Sequence, residues 1–205
     1  MVFPKLKETI EEVARLPISK NRKELLNKIT VYIQQKLDKK QPVLLHFICT
    51  HNSRRSQLAQ AWAQILAFNC NLPITCFSGG VEVTACYKTA YRVLEKAGAK
   101  IHIKHTETNP IIEVYYAKNQ APLKLFSKMY DDVQNPKTNF AAIMTCSDAD
   151  KNCPFIPGTE KRLSLPYEDP KMADNTPLEE EKYTERSLQI ASEIYYVFSQ
   201  IKQKK

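Results

Sequence analysis

Two stretches of helical periodicity precede any strand signal. Leu6, Ile10, Val13 and Leu16 share one face, and Pro17 ends the segment. Asn21 followed by Glu24 reads as a capping box, after which Leu26, Ile29, Ile33 and Leu37 mark a second amphipathic helix. Residues 5–39 are therefore expected to form a helical hairpin, packed on the main domain or on a second subunit. The charged run Asp38-Lys39-Lys40 closes it, and the period changes. Val43–Ile48 is a continuous apolar run, as in a fully buried strand. Helical spacing returns in Gln57–Phe68, with Leu58, Trp62, Ile65 and Leu66 on one side. Ile74–Phe77 is a short strand closed by Ser78-Gly79-Gly80. A helix follows from about Thr84, carrying Tyr87, Ala90, Leu94 and Ala97, with Gly98 placed to be its left-handed C′ residue. Strand, helix, strand, helix with short connections predicts a parallel sheet covered on both faces.

Ile111–Tyr116 and Leu123–Tyr130 are rich in apolar and aromatic residues, with Asn119–Pro122 as a turn between them, so an added β-hairpin is expected there. Phe140–Thr145 is another buried strand that ends directly at Cys146. A polar loop, Ser147–Asn152, then leads to Cys153-Pro154. Arg162–Leu165 predicts one more strand before Pro166-Tyr167-Glu168-Asp169-Pro170, and Thr184–Ile201 predicts a closing amphipathic helix. The expected organisation is an N-terminal helical extension over 1–40 and an α/β domain over 41–205, with an insertion at about 103–138. In an open parallel sheet the functional residues gather outside the carboxyl ends of the strands. Cys49, Ser78, Cys146 and Asp169 all follow candidate strands, so one crevice is expected to hold all four.

Composition narrows the function. At 205 residues and 43% hydrophobic, the chain can bury a sizeable core. The N-terminus lacks the apolar region of a secretory signal, and no apolar run has the length of a membrane span. A cytoplasmic protein without a membrane partner is expected. The formal charge of +8 is spread along the chain among Glu and Asp, and no nucleic-acid recognition signature accompanies it, so it favours anionic substrates and not nucleic acid. Six cysteines without a secretory signal point to chemistry or burial before a disulfide framework. His102 and His105 have no cysteine or carboxylate at ligand spacing, so they are read as solvent-facing, and no metal is assigned.

The chemistry centres on the loop between the first strand and the helix after it. It has a cysteine at its start, Cys49, and an arginine six positions on, Arg55. Backbone N–H groups of a loop feeding a helix N-terminus bind oxyanions, and the same surroundings favour a thiolate. Thr50, His51, Asn52, Ser53, Arg54, Arg55 and Ser56 are the candidate oxyanion-binding residues. The Arg55 fork matches two oxygens of a tetrahedral anion, Ser56 is placed to donate to the Cys49 thiolate, and Asn52 suits a loop position with positive φ. A leaving group also needs an acid. Asp169 is the candidate, with Asp131, Asp132, Asp148 and Asp150 as competitors.

The segment Cys49–Trp62 resembles the phosphate loop of low-molecular-weight protein tyrosine phosphatases and of thioredoxin-coupled arsenate reductases, which share a fold. Ser78-Gly79-Gly80, the Cys146–Pro154 segment and Glu168-Asp169-Pro170 extend the resemblance over most of residues 42–200. It implies a three-layer α/β sandwich with a central four-stranded parallel sheet, to which the N-terminal helical hairpin and the inserted β-hairpin are additions. It also implies Cys49 as nucleophile, Arg55 as anion-binding residue, Ser56 as thiolate partner and Asp169 as general acid.

The two subfamilies differ in their other cysteines. Tyrosine phosphatases place an aromatic residue after the acid's proline, where this chain has Lys171. Arsenate reductases carry two cysteines seven positions apart after a later strand, and Cys146 and Cys153 have that spacing. The resemblance thus implies an arsenate reductase-like relay through Cys49, Cys146 and Cys153, with thioredoxin as reductant and no cofactor. The alternative is a phosphatase acting on phosphotyrosine or a small phosphate ester. Gln60 stands where many reductases have an acidic residue, which argues against a monovalent cation beside the loop.

Overall fold

The computed structural model describes residues 1–104, 108–152 and 155–203, so His105 and Cys153 lie outside the described residues. Helices α1 (Pro4–Val13) and α2 (Lys20–Asp38) lead into the alternation β1 (Val43–Cys49), α3 (Arg55–Asn69), β2 (Ile74–Gly80) and α4 (Lys88–Lys96). The middle of the chain supplies β3 (Lys100–Lys104), β4 (Ile111–Tyr115) and β5 (Leu123–Leu125). After β6 (Phe140–Met144) come the short α5 (Ser147–Asn152), β7 (Thr159–Ser164), a 3-10 turn at Pro170–Ala173 and the closing α6 (Glu179–Ser199). No described helix is long and apolar enough to cross a membrane.

The main sheet is parallel, in the order β2-β1-β6-β7. Its central strand β1 is the continuous apolar run, as expected for a strand with neighbours on both edges and cover on both faces. Val43 pairs with Ile74, Cys49 with Gly80, and Leu45 with Ala141, so the carboxyl ends of β1, β2 and β6 finish at one edge.

The two faces are covered unequally. Leu45, Phe47 and Ile143 join residues of α2, α3 and α6 in a large apolar cluster. Ile48, Ala142 and Met144 face a smaller cluster with Cys49, Cys146, Ala149 and Ile156. The third layer is thin, built from α5 and connecting segments, and it carries the cysteines at the sheet's end.

The N-terminal helices pack on the domain. Leu6, Ile10, Val13, Leu26, Ile29 and Ile33 are buried in the same cluster as the sheet. Each such side chain contributes roughly 1.5–3 kcal/mol, so together they outweigh any surface contact. Gly98 (φ 111°) takes the left-handed C′ position of α4, with Ala99 N–H bonded back to Leu94 O at 3.1 Å. A Cβ there would lie 2.4 Å from Leu6 N, so the glycine also lets α1 cross.

Several local expectations are corrected. The cap of α2 is Ser19, whose side chain accepts from Arg22 N–H at 3.3 Å, and not Asn21. Ser78-Gly79-Gly80 does not close the strand after Phe77 but continues it as the last three residues of β2. A Cβ on Gly80 would sit 2.7 Å from Asn52 N and 2.8 Å from Thr50 O, so this glycine serves a close approach to the loop after β1. Helix α4 starts at Lys88 and not Thr84, because Thr84 N–H bonds Ser127 Oγ (2.9 Å) and Tyr87 N–H bonds Ser53 O (3.0 Å). The hairpin of β4 and β5 is present, with β3 added as a third antiparallel strand. Ser147–Asn152 is a short helix and not a loop, with Asp148 and Asp150 in its first turn, where carboxylates favour a helix.

Candidate active site

Cys49 is the last residue of β1 and is buried, its Sγ 3.0 Å from Ser56 Oγ. Asn52 determines how that contact works. Its Nδ2 donates to Ser56 Oγ at 2.8 Å, which leaves the hydroxyl hydrogen for the sulfur. Asn52 sits at φ 45°, the left-handed region expected of it. Its Oδ1 accepts from Lys128 N–H at 3.0 Å and from Gln57 Nε2 at 3.2 Å. Around it, Thr50 O accepts from the N–H groups of Val81 (2.8 Å) and Glu82 (2.9 Å), and His51 O accepts from Ser127 Oγ at 2.8 Å. Ser53 Oγ donates to Ala85 O at 2.6 Å. With its carbonyls drawn outward, the loop is free to turn N–H groups inward, as an oxyanion cradle requires.

The two arginines have different tasks. Arg55 is buried at the start of α3. Its guanidinium donates to Tyr167 O at 3.0 Å and to Asp169 Oδ2 at 2.5 Å. Arg55 and Asp169 thus meet over the loop, as a crevice holding both requires. The Arg54 guanidinium turns away. It donates to Tyr183 OH and Asp174 Oδ2, both at 2.5 Å, and stacks over the Tyr87 ring at 4.3 Å. Its side chain fastens the loop to α6, which leaves only its backbone for an anion. His51 Nε2 lies 3.3 Å from Glu82 Oε2 at the rim.

Cys146, two residues past the end of β6, comes beside the same loop. Its Sγ lies 3.4 Å from Thr50 Oγ1 and accepts from Ala149 N–H at 3.3 Å. Ser78 does not reach it. Its fully buried hydroxyl donates to Gln60 Oε1 at 2.5 Å, behind the strand. Of the four residues expected together, Cys146 lies beside the Cys49 loop through Thr50, Asp169 is tied to the loop through Arg55, and Ser78 is buried behind the strand. Exposed His102 pairs with Glu113 at 3.2 Å, and the described residues hold no group of three or more candidate metal ligands.

Sequence reasoning missed the supports. Arg22 of α2 binds Glu193 through two contacts (2.9 and 2.5 Å) and donates to Pro166 O at 2.9 Å, bracing the segment whose next carbonyl receives Arg55. Lys128 and Tyr183 are equally remote in sequence, and no local pattern marks them. His46, three residues before Cys49, is fully buried with neither ring nitrogen bonded. Burial, aided by the nearby Lys128 ammonium, pulls its imidazole down to about 3, so it stays neutral.

No family model matches the chain. An arsenate reductase of Staphylococcus aureus (strain Newman) is 31% identical over 127 residues, which span 62% of this chain and 77% of that protein. The chain belongs to the arsenate reductase family. An "Arsenate reductase 2" of Staphylococcus epidermidis is 32% identical over 136 residues, 65% of this chain and 81% of that one. Solved structures agree on the fold of this reductase-family chain. A low-molecular-weight protein tyrosine phosphatase from T. tengcongensis superposes with a TM-score of 0.52 at 14% identity, covering 78% of this chain and 99% of that one. A mutant of YwlE from Bacillus subtilis gives 0.51 at 13% identity, covering 77% and 97%.

Proposed function

We propose that this protein reduces arsenate to arsenite through a relay of Cys49, Cys146 and Cys153, with thioredoxin returning the dithiol. The observation that carries the reading is the Cys146 thiol beside the Cys49 loop, 3.4 Å from Thr50 Oγ1 and in one apolar cluster with Cys49. Hydrolysis through a phosphocysteine does not require a second thiol there.

In the first step the Cys49 thiolate, stabilised by the Ser56 hydroxyl, attacks arsenic. An As–O bond breaks, and the oxygen leaves as water after protonation. Arg55 and the loop N–H groups of Thr50 to Ser56 hold the remaining oxygens. The Cys146 thiolate then attacks Cys49 Sγ. The S–As bond breaks with its electron pair left on arsenic, which departs as arsenite, and a Cys49–Cys146 disulfide forms. The Cys153 thiolate attacks Cys146 Sγ, releases the Cys49 thiolate and moves the disulfide to Cys146–Cys153, where an external dithiol reduces it.

A second reading has one observation behind it. Asp169 contacts Arg55 beside the loop (2.5 Å), and a carboxyl group near the anion site supports a general-acid role toward an ester leaving group. Cys49, Arg55 and Asp169 would then hydrolyse phosphotyrosine or a small phosphate ester through a phosphocysteine. Turnover of arsenate with thioredoxin, and of an aryl phosphate, in wild type and Cys146→Ser separates the two. The reductase reading expects arsenate turnover that disappears in the variant while any aryl phosphatase activity survives. Equal arsenate turnover in both proteins removes the relay.

A further inference from the structure

A second concave site lies behind the loop, on the far side of β2 from the Cys49 crevice. The pocket, of about 290 Å³, sits between α3, β2 and the inserted segment. Its charged lining is Lys124 and Lys128, with the amides of Gln60, Gln64, Gln134 and Asn135, and no carboxylate lines it.

Lys128 is the unusual member, because only 5% of it is exposed. Among the described residues its ammonium makes no ion pair, and its recorded contact is the face of Phe126, 4.5 Å from the ring centroid. Asp132 and the Cys86 thiol act on it from longer range, and burial pulls it down to about 8. A buried lysine that stays mainly charged near neutral pH without a carboxylate against it is short of a counter-charge. The other lining groups fit the same vacancy in charge. Each primary amide carries two N–H donors, and Gln60 uses one on Cys76 O at 3.1 Å. Asn135 donates to Met129 O (3.0 Å) and Tyr130 O (3.3 Å), while its buried Oδ1 has no donor. That orphan acceptor suits an anion that still carries a proton.

We propose that the pocket around Lys128 is a second anion-binding site, taking a small protonated oxyanion such as hydrogen phosphate or hydrogen arsenate, separate from the Cys49 loop. Lys128 supplies the charge, the glutamine amides and Lys124 supply further donors, and Asn135 Oδ1 accepts the ligand's hydroxyl. The site touches the loop through the backbone, because Lys128 N–H holds Asn52 Oδ1 and Lys128 O accepts from Gly80 N–H at 2.9 Å. Occupancy would therefore be felt at Asn52, the residue that orients Ser56 toward Cys49. The proposal is independent of which reaction Cys49 performs.

Titration of the Cys49→Ala protein with inorganic phosphate, followed by amide NMR, tests it. Two saturable sets of shifts are expected, one over Thr50–Ser56 and one over Gln60, Gln64 and Lys128–Asn135. Lys128→Met should abolish the second set while the loop set still saturates. Gln64→Glu is a milder check, since it keeps an acceptor for Cys76 N–H (3.0 Å) while adding a negative charge to the pocket, and it should weaken the second set at least tenfold. Sulfate, lacking the proton, should bind the pocket more weakly than phosphate at pH 7. Shifts confined to the loop in the parent protein would overturn the proposal. So would pocket shifts that persist at full affinity in both variants.

Discussion

Cys49 and Cys146 meet at the same end of the sheet, and they are held in very different ways. Cys49 closes a strand paired along both edges, and its loop is tied to α3 by Gln57, to α6 by Arg54, and to the inserted segment by Ser127 and Lys128. Cys146 follows its strand into a helix of six residues. The contacts described there include one N–H to its sulfur, one threonine hydroxyl, the bond from Asp150 N–H to Cys146 O (3.1 Å), and a partly exposed pair in which Arg162 reaches both the carboxylate (2.9 Å) and the backbone oxygen (2.5 Å) of Asp150. The first arrangement suits a site that must present fixed donors to an anion before it arrives. The second suits a thiol that must leave its resting contacts to reach another sulfur. A relay needs both kinds of region side by side.

The comparison is broken most severely at Arg55. Lysine there keeps a charge but loses the fork that holds Tyr167 O and Asp169 together, and with it the bidentate grip on an oxyanion. Arg55→Lys should lower kcat/KM for arsenate by about a hundredfold or more. A variant within a few-fold of wild type would mean that the guanidinium geometry is dispensable. A second weak point lies in the strand beneath. Folded His46 stays neutral down to about pH 3, whereas an unfolded histidine takes up a proton near 6.5. Below pH 6.5 the unfolded chain therefore binds more protons, and stability falls with pH by about 2 kcal/mol at pH 5. His46→Leu should remove that loss, read as a smaller difference between denaturation curves at pH 7 and pH 5. The same pH sensitivity in both proteins would exonerate His46. The smallest effect is expected on the Cys146 side. Asp150→Ala removes a partly exposed pair and should cost under about 1 kcal/mol. A markedly larger cost would mean that this segment is braced as firmly as the Cys49 loop.

Much of this was legible in the chain because the strands and helices that matter carry unbroken periodic signals. Val43–Ile48 and Leu58–Leu66 announce strand and helix, and the loop between them carries its chemistry in adjacent residues. Ser78-Gly79-Gly80 misled because a glycine pair usually marks a turn, whereas here Gly80 makes room for Thr50 and Asn52 across the strands. Ser147–Asn152 looked like a loop because its residues are polar, yet acidic residues at a helix start stabilise it. Arg54 looked like a second anion donor by position alone. Its partners Tyr183 and Asp174 lie more than a hundred residues away, beyond the reach of any local pattern. Arg22, 171 positions from Glu193, and Lys128, 76 positions from Asn52, were hidden by sequence separation too.

The central claim is that Cys146 takes arsenic's place on Cys49. A single turnover of Cys153→Ser with arsenate and no reductant tests it most directly, with arsenite counted and disulfides mapped by mass spectrometry. The account predicts one arsenite per protein and a trapped disulfide between Cys49 and Cys146. Arsenite release without that disulfide, or with Cys49 joined to Cys86 instead, would contradict it.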